Sequence, residues 1–297
     1  MQNSSSFMRI SFLTLWAVFL SALTGVLGAT PLRIIRNSAG QGMFWLIGLS
    51  LASVAIVFKW YSLGVIIGVQ TLLVGSFAEF EEREFTLRQS ATFAILLTAL
   101  FLSSVVYGFF AIIGKSPMGQ ISQIISDLLN RAKEANVGFL KDIHVQDIVA
   151  QIPSFGIIFI ILSLGLALVL EGWASRRSGI KSIRREKLSD FRATDVMIWF
   201  FIFSLLGTFG QSGVKAIEII SVNILNICAV VYFFQGLAVL CKYFEVFKIT
   251  LFWKFLWVLI LVVQLPIIMS LIGVLDYWID FRKSFKKRAQ TIRKKST

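Results

Sequence analysis

The sequence predicts an all-α protein, a polytopic transmembrane helical bundle of about 8 to 9 spans in which residues 1–297 form a single membrane domain. Hydrophobic residues make up 57% of the chain and charged residues 15%, whereas soluble domains contain about 45 to 50% and about 25%. The apolar residues also occur in long runs, and a helix needs about 20 of them to cross a bilayer. Both observations exclude an ordinary soluble domain.

The basic residues are concentrated in two segments beside apolar runs. Of the 29 Lys and Arg residues, seven lie in the loop 174–193 and eight in the tail 282–297. Such segments are retained on the cytoplasmic side and attract anionic lipid. We therefore expect a bacterial inner (plasma) membrane protein with this loop and the C-terminus in the cytoplasm. The net charge of +13 then indicates contact with the bilayer and its anionic lipids, and no nucleic acid.

The first third of the chain predicts three spans: Ser11–Ala29, Met43–Phe58 and Tyr61–Ala78. Pro31 is expected to end the first helix, leaving Arg33 and Arg36 in a positively charged cytoplasmic connection. The acid-rich stretch 79–88 is interpreted as a solvated cytoplasmic connection. A fourth span follows at Ala91–Ile113.

Residues 115–153 form the long stretch that does not resemble a span, and we interpret them as an amphipathic extramembrane segment. Ile121, Ile125, Leu128 and Ala132 recur at helical spacing, which predicts a surface helix. Its acidic and basic residues balance, so the segment is expected outside. Pro153 is expected to open the fifth span.

Three further spans are predicted at Phe155–Trp173, Val196–Phe209 and Ile219–Tyr243. The last apolar run, Ile249–Phe281, is too long for one upright helix, and Pro266 breaks it near the middle. Because the basic loop and the tail both have cytoplasmic character, this run crosses twice or not at all. We favour a helical hairpin or re-entrant pair. Counting spans back from the loop places the N-terminus outside.

Polar amides inside the apolar runs are candidate binding residues. An unpaired polar group in lipid costs several kcal/mol, so such side chains face a cavity or a neighbouring helix. Two interpretations stay open: the amides line a pocket for an uncharged or weakly polar ligand, or they form hydrogen bonds between helices. The candidates are Gln70, Asn223, Asn226, Gln235 and Gln264.

Several short motifs, TPLRIIR, IPSF, LSDFR, FFQGLAV and LIGVLDYWIDFRK, occur in an order that resembles the YybS-like family of bacterial multipass membrane proteins. That family is in turn distantly similar to the substrate-binding subunits of energy-coupling-factor transporters. The resemblance implies small-molecule capture in a helical bundle, with a separate coupling module. Its most specific residues are Phe191, Arg192, Asn226, Gln235, Gly236, Gly273, Asp276, Trp278, Asp280, Phe281 and Arg282.

Asp276 and Asp280 are four residues apart, so we expect them on one helical face. We predict that this face pairs with arginines, with Arg192 as the preferred distant partner. The pairing would join the end of the bundle to the basic loop.

No catalytic or metal-binding set is evident in the sequence. The two cysteines, Cys228 and Cys241, lie in one apolar run, and His144 is the single histidine. These residues do not form a zinc-type ligand set, and no nucleophile with a base or glycine-rich phosphate loop is present. We therefore expect no enzyme, no metal and no cofactor.

Two functions from different classes remain. The first is small-molecule binding or transport within the bundle. The alternative is a non-enzymatic membrane scaffold or assembly partner that docks other proteins through the basic loop, the tail and the amphipathic segment.

Overall fold

The computed structural model describes residues 2–114, 116–134, 144–178, 186–210 and 213–295, and within these ranges every regular element is a helix. In chain order the helices are α1 (Gln2–Thr24), α2 (Ala29–Ala39), α3 (Gln41–Val57), α4 (Tyr61–Glu82), α5 (Leu87–Ile113), α6 (Pro117–Glu134), α7 (Val145–Ser178), α8 (Asp195–Phe209), α9 (Lys215–Val246), α10 (Leu251–Val258), α11 (Pro266–Ile279) and α12 (Phe281–Lys295). A 3-10 turn covers Leu188–Asp190, and a π-helical segment, Leu259–Gln264, follows α10.

Among the described residues, four helices are long and apolar enough to cross a membrane: α4, α5, the Val145–Gly172 part of α7, and α9. The bent pair Leu251–Gln264 and Pro266–Ile279 raises the number to five if it is one span. The predicted 8 to 9 spans therefore become four or five by this criterion. The difference arises because three further apolar helices are shorter than the 18 residues required: the Met8–Thr24 part of α1, α3 and α8.

The segment expected to connect the first two spans is instead the buried helix α2. Pro31 does not stop it, because Pro31 lies in the first turn, where helical N–H groups have no intrahelical acceptor. α1 and α2 form a hairpin in which Gly28 lies directly against Ala17 and Ser21. The start of α1 therefore points to the same end of the bundle as Arg36, whereas the sequence predicts these two on opposite sides.

The helices α3 and α4 form the tight hairpin that the sequence predicts. Gly48 lies against the Thr71 side chain, and Gly64 lies against the Ala52 carbonyl. Small residues let the two backbones approach closely in this way. α5 begins after a capping box in which the Thr86 and Gln89 side chains satisfy each other's backbone N–H groups.

The predicted amphipathic segment contains α6, which packs against α7 and buries Leu129. α7 begins at Val145, so Pro153 lies inside this helix and does not open it, as the sequence suggested. The helix continues through Ser178 and includes the first residues of the basic loop. Residues 179–185 of that loop lie outside the described part of the chain.

In the C-terminal third, α9 packs against α8 on one side and against α11 on the other. The chain bends by 100° between Gln264 and Pro266, at the predicted break. Pro266 has no backbone N–H and cannot continue the hydrogen bonds of the preceding helix. The residues before it, Leu259–Gln264, form a π-helical turn. The predicted tail forms helix α12, whose Phe285 ring packs on Tyr243 of α9 at 5.4 Å between centroids.

Candidate functional site

A buried ion cluster joins α2 to α4 and α7. The Arg33 guanidinium forms ion pairs with Glu81 and with Glu171, the latter at 3.4 Å, and it lies 5.1 Å from the centre of the Phe77 ring. Arg33 and Glu171 are both fully buried, with 0% of each side chain exposed. The expected solvated acidic connection is therefore partly helical and partly buried, because Glu81 lies on the last turn of α4.

The same cluster extends along α2. Arg36 pairs with Glu82 at 2.8 Å, and the amide of Asn37 donates to Glu171 at 2.7 Å. Five charged side chains thus meet at one end of the bundle, at the ends of spans α4 and α7. Buried charges persist only when paired, so the cluster fixes α2 in position.

Gln70 holds the turn between α1 and α2. Its carbonyl oxygen accepts a hydrogen bond from the Ser21 hydroxyl at 2.8 Å, and its amide donates to the Gly25 carbonyl at 2.6 Å. Gly25 has a positive φ of 69°, which a residue without a side chain adopts readily. Both the carbonyl oxygen and the NH2 group of the buried Gln70 side chain therefore have hydrogen-bond partners within the protein.

Asn223 of α9 forms hydrogen bonds to the backbone of α7 on both sides of Pro153. Its carbonyl oxygen accepts from the Ser154 N–H at 2.9 Å, and its amide donates to the Ala150 carbonyl at 2.7 Å. These are the two backbone groups that would bond to each other in an uninterrupted helix. One turn further along α9, the amide of Asn226 donates to the Gln151 side chain.

Gln235 of α9 lies at the junction of α8, α9 and α11. Its carbonyl oxygen accepts from the Ala193 N–H at 2.9 Å, and its amide donates to the Gly273 carbonyl at 3.0 Å. A Cβ atom at Gly236 would collide with the Met269 carbonyl, and one at Gly273 would collide with the Tyr232 carbonyl. The two helices therefore touch backbone to backbone. We call these residues, with Asp276 and Arg282, the α9–α11 junction.

Asp276 is buried in this junction, and its carboxylate pairs with Arg282 at 3.0 Å. The preferred partner predicted from the sequence, Arg192, instead donates to the backbone carbonyl of Asp276. Arg282 also donates to the Phe191 carbonyl at 2.7 Å. The end of the bundle is thus joined to the segment before α8 chiefly through Arg282.

The expectation that Asp276 and Asp280 share a helical face is wrong. α11 ends at Ile279, and Asp280 adopts a left-handed conformation with φ 46° that turns the chain away. Asp280 pairs with the exposed Lys283 at 2.9 Å. The hydrogen bond from Lys283 holds the pKa of the Asp280 carboxyl below its ordinary value.

The candidate amides do not converge on one pocket. Gln70 serves the α1–α2 turn, Asn223 and Asn226 serve α7, and Gln235 serves the α9–α11 junction. Gln264 is exposed at the bend before α11. Of the two interpretations, hydrogen bonding between helices describes four of these five side chains.

The structure contains an apolar cavity of about 550 Å³, which no pattern in the sequence indicates. Small-molecule sites commonly have about 300 to 1,000 Å³. We call it the α5–α8 cavity, because α5 and α8 form its two sides while α7 and α9 form its inner wall. The inner wall consists of Ile161, Leu164, Gly165, Leu168 and Val169 from α7 and Val231, Phe234, Leu237, Ala238 and Cys241 from α9.

The outer rim of the α5–α8 cavity is exposed. Leu96 of α5 and Phe200 of α8 line it, with 54% and 50% of their surfaces accessible. α5 packs on α4 and α7, whereas α8 packs on α9, so a cleft separates the two rim helices. Because α5 is a candidate span and its side of the cleft is exposed, we expect the cleft to face the lipid.

The polar groups of the cavity lie at one end. Arg88 and Thr92 come from the first turns of α5, and Thr194 immediately precedes α8. Both helices begin at the end of the bundle that carries the basic loop. The cavity therefore has a charged end near the membrane surface and an apolar interior.

The family comparison matches residues 7–277, which is most of the chain, to the family described as Predicted membrane protein (DUF2232). The chain belongs to the DUF2232 family. This assignment agrees with the several apolar helices described above. No curated protein and no solved structure matches the chain.

In this member of the DUF2232 family, several of the motif residues of the C-terminal half form one contact group. Phe191, Arg192, Gln235, Asp276 and Arg282 all participate in the α9–α11 junction. Neither the α2 ion cluster nor the α5–α8 cavity was predicted. The partners of Arg33 are 48 and 138 residues away in the sequence, so no local pattern indicates the ion pairs. The residues of the cavity wall are apolar, like those of any helix face that packs in a bundle, so they do not indicate a cavity.

Proposed function

We propose that this protein binds a small, mostly apolar molecule in the α5–α8 cavity, as part of a binding or transport function. One observation carries the proposal: an apolar cavity of about 550 Å³ opens between two rim helices. Closely packed interiors contain few voids larger than a water molecule. A cavity of this size beside lipid therefore suits a ligand that partitions into the bilayer.

The proposed site differs from the polar pocket that the amides suggested. Those amides are used in helix contacts, so an uncharged polar ligand would find few free groups there. The resemblance to energy-coupling-factor subunits supports a transport role, in which a separate coupling module would supply the energy. The existence of such a coupling module is part of the transport proposal.

The test is native mass spectrometry of the full chain purified in mild detergent. We expect a non-covalent adduct that Ala91→Phe removes, because a larger side chain at this cavity-lining position occupies the site. Ala111→Phe is the matched control, since it is the same change on an exposed part of the same helix. An adduct retained equally by both variants, or no adduct in the parent protein, would contradict the proposal.

The alternative is a scaffold that docks to the membrane surface and to proteins through the basic tail. α12 supports it, because Phe281 and Phe285 stack on each other and Phe285 packs on α9, while Lys286 and Arg288 are exposed. Such an arrangement suits anionic lipid. Slower hydrogen exchange of α12 in phosphatidylglycerol than in phosphatidylcholine nanodiscs would support lipid contact. A stoichiometric protein partner without any adduct would favour the scaffold.

We further propose the bacterial plasma membrane as location, with the basic loop and C-terminus in the cytoplasm. The finer count of 8 to 9 spans also remains a proposal. It follows if α1, α3 and α8 are added to the four long spans and the bent pair is counted once or twice. The absence of enzymatic activity, of a cofactor and of nucleic-acid binding stays a prediction.

A further inference from the structure

We propose that the ligand of the α5–α8 cavity is an anionic amphiphile with one alkyl chain, such as a fatty carboxylate, whose charged group is bound by Arg88. This inference rests on the proposed function and adds the chemical class of the ligand and its orientation.

The first argument is the placement of charge. Among the described residues that line the cavity, Arg88 alone carries a charge. Its side chain is exposed, and it forms no ion pair with the part of the chain that the structure describes. The neighbouring carboxylate of Glu186 accepts a hydrogen bond from the Leu87 N–H at 3.0 Å. A guanidinium at a cavity mouth is suited to a carboxylate or phosphate.

The second argument is the separation of polar and apolar surface. Thr92 and Thr194 lie at the same end as Arg88, and Thr194 uses no side-chain oxygen to cap α8. The Thr194 hydroxyl can donate to an anionic oxygen, whereas the Thr92 hydroxyl donates to the Arg88 carbonyl at 2.9 Å and contributes a polar surface at that end. From that end the cavity continues past Leu164 and Phe234, which offer only carbon atoms to a ligand. An alkyl chain with a charged head matches both surfaces.

The third argument is the route of entry. The cleft between α5 and α8 faces the lipid, and its charged end lies where α5 begins, at the membrane surface. An amphiphile already oriented in the bilayer has its head at that depth and its chain towards the bilayer centre. It can enter sideways without moving its charge through hydrocarbon.

The experiment uses the full chain in phosphatidylcholine nanodiscs with two probes of equal length, a diazirine-labelled fatty acid and the corresponding fatty alcohol. After irradiation, mass spectrometry locates labelled peptides. We expect the acid to label the inner wall around Leu164 and Phe234. Arg88→Gln should reduce this labelling about tenfold, since a charge-assisted hydrogen bond is lost. Labelling by the alcohol should not change.

Two variants control for charge and position. Arg88→Lys retains the positive charge and should preserve most of the labelling. Arg83→Gln removes an exposed arginine in the turn before α5 that does not line the cavity, and it should have no effect.

The outcomes separate the two proposals. If Arg88→Gln leaves labelling by the acid unchanged, or reduces labelling by both probes equally, the proposal of an anionic ligand is wrong. The proposal that the cavity is a binding site is then unaffected. If neither probe labels the inner wall in the parent protein, both proposals fail. Labelling of the inner wall by phosphatidylcholine carrying the same diazirine, at the level of the acid, would identify bulk lipid as occupant and overturn the single-chain ligand.

Discussion

Asn223 acts as a substitute for the backbone of another helix. Its amide bonds to the N–H of Ser154 and the carbonyl of Ala150, which lie on either side of Pro153 in α7. An asparagine has one acceptor and donors on one planar group, which suits this bridging task. We infer that Asn223 serves the helix around this proline.

The pairing predicts non-additive stability. Asn223→Ala should lower the free energy of unfolding by about 1 to 3 kcal/mol, because it removes the hydrogen bonds to two partly buried backbone groups. In a Pro153→Ala background the same change should cost clearly less, since the helix can restore its own hydrogen bond. Unfolding in detergent mixtures measures both. Equal losses in the two backgrounds would show that Asn223 does not serve the proline.

A second prediction at this scale concerns Arg33. Arg33→Gln should cost about 3 to 5 kcal/mol, because it removes the guanidinium that pairs with the buried carboxylates of Glu81 and Glu171. Neutralising all three residues, as Arg33→Met with Glu81→Gln and Glu171→Gln, should recover most of that stability. The exposed Arg83→Gln serves as control. If the triple variant is as unstable as the single one, the loss of the ion pairs does not account for the lower stability of Arg33→Gln.

At the scale of elements, α9 and α11 depend on two glycines that face each other's backbone. Gly273→Ala should destabilise the protein by about 1 to 3 kcal/mol, since the added methyl group meets the Tyr232 carbonyl and backbone cannot move aside as a side chain can. Gly108→Ala in α5 is the matched control, because no atom lies within 4 Å of the new methyl group. Thermal unfolding in detergent compares the two, and equal melting temperatures would refute the close contact.

The helices that the sequence predicted well are those whose evidence is local. Apolar length predicts α4, α5 and α9, and proline predicts the bend at Pro266 because the missing N–H acts on its own helix. The sequence did not predict α2, because Arg33 and Arg36 are typical of a solvated connection. Only the fold shows that Glu81 and Glu171 lie beside Arg33. The amides were correctly identified as polar groups in need of partners, but only the fold reveals which backbone groups those are.

At the scale of the whole molecule, the spanning helices divide the connections between two sides. Lys59 and Ser116 lie at one end of α4 and α5, whereas Glu84 lies at the other. The segment before α8 and the start of α12 lie at the same end as Glu84, because α7 and α9 each end there.

This arrangement predicts the reactivity of single cysteines in a background without Cys228 and Cys241. Cysteines at Glu84, Lys187 and Ser284 should resist an impermeant thiol reagent in intact cells and react after permeabilisation. Cysteines at Lys59 and Ser116 should react in intact cells. If Lys187 and Ser284 differ, the bent pair crosses the membrane once, and the even number of crossings is wrong.

The buried helix α2 also constrains the order in which the chain is assembled. An arginine at the centre of a helix costs about 2.5 to 3.5 kcal/mol to insert alone, and α2 has two. The first acidic partner of Arg33 is synthesised 48 residues later, and Glu171 only 138 residues later. During synthesis, we expect α2 to wait at the membrane surface or within the insertion machinery until these partners have been made. Its set of ion pairs is complete only after α7 has been synthesised, so we expect the second helix of the chain to be among the last to reach its place.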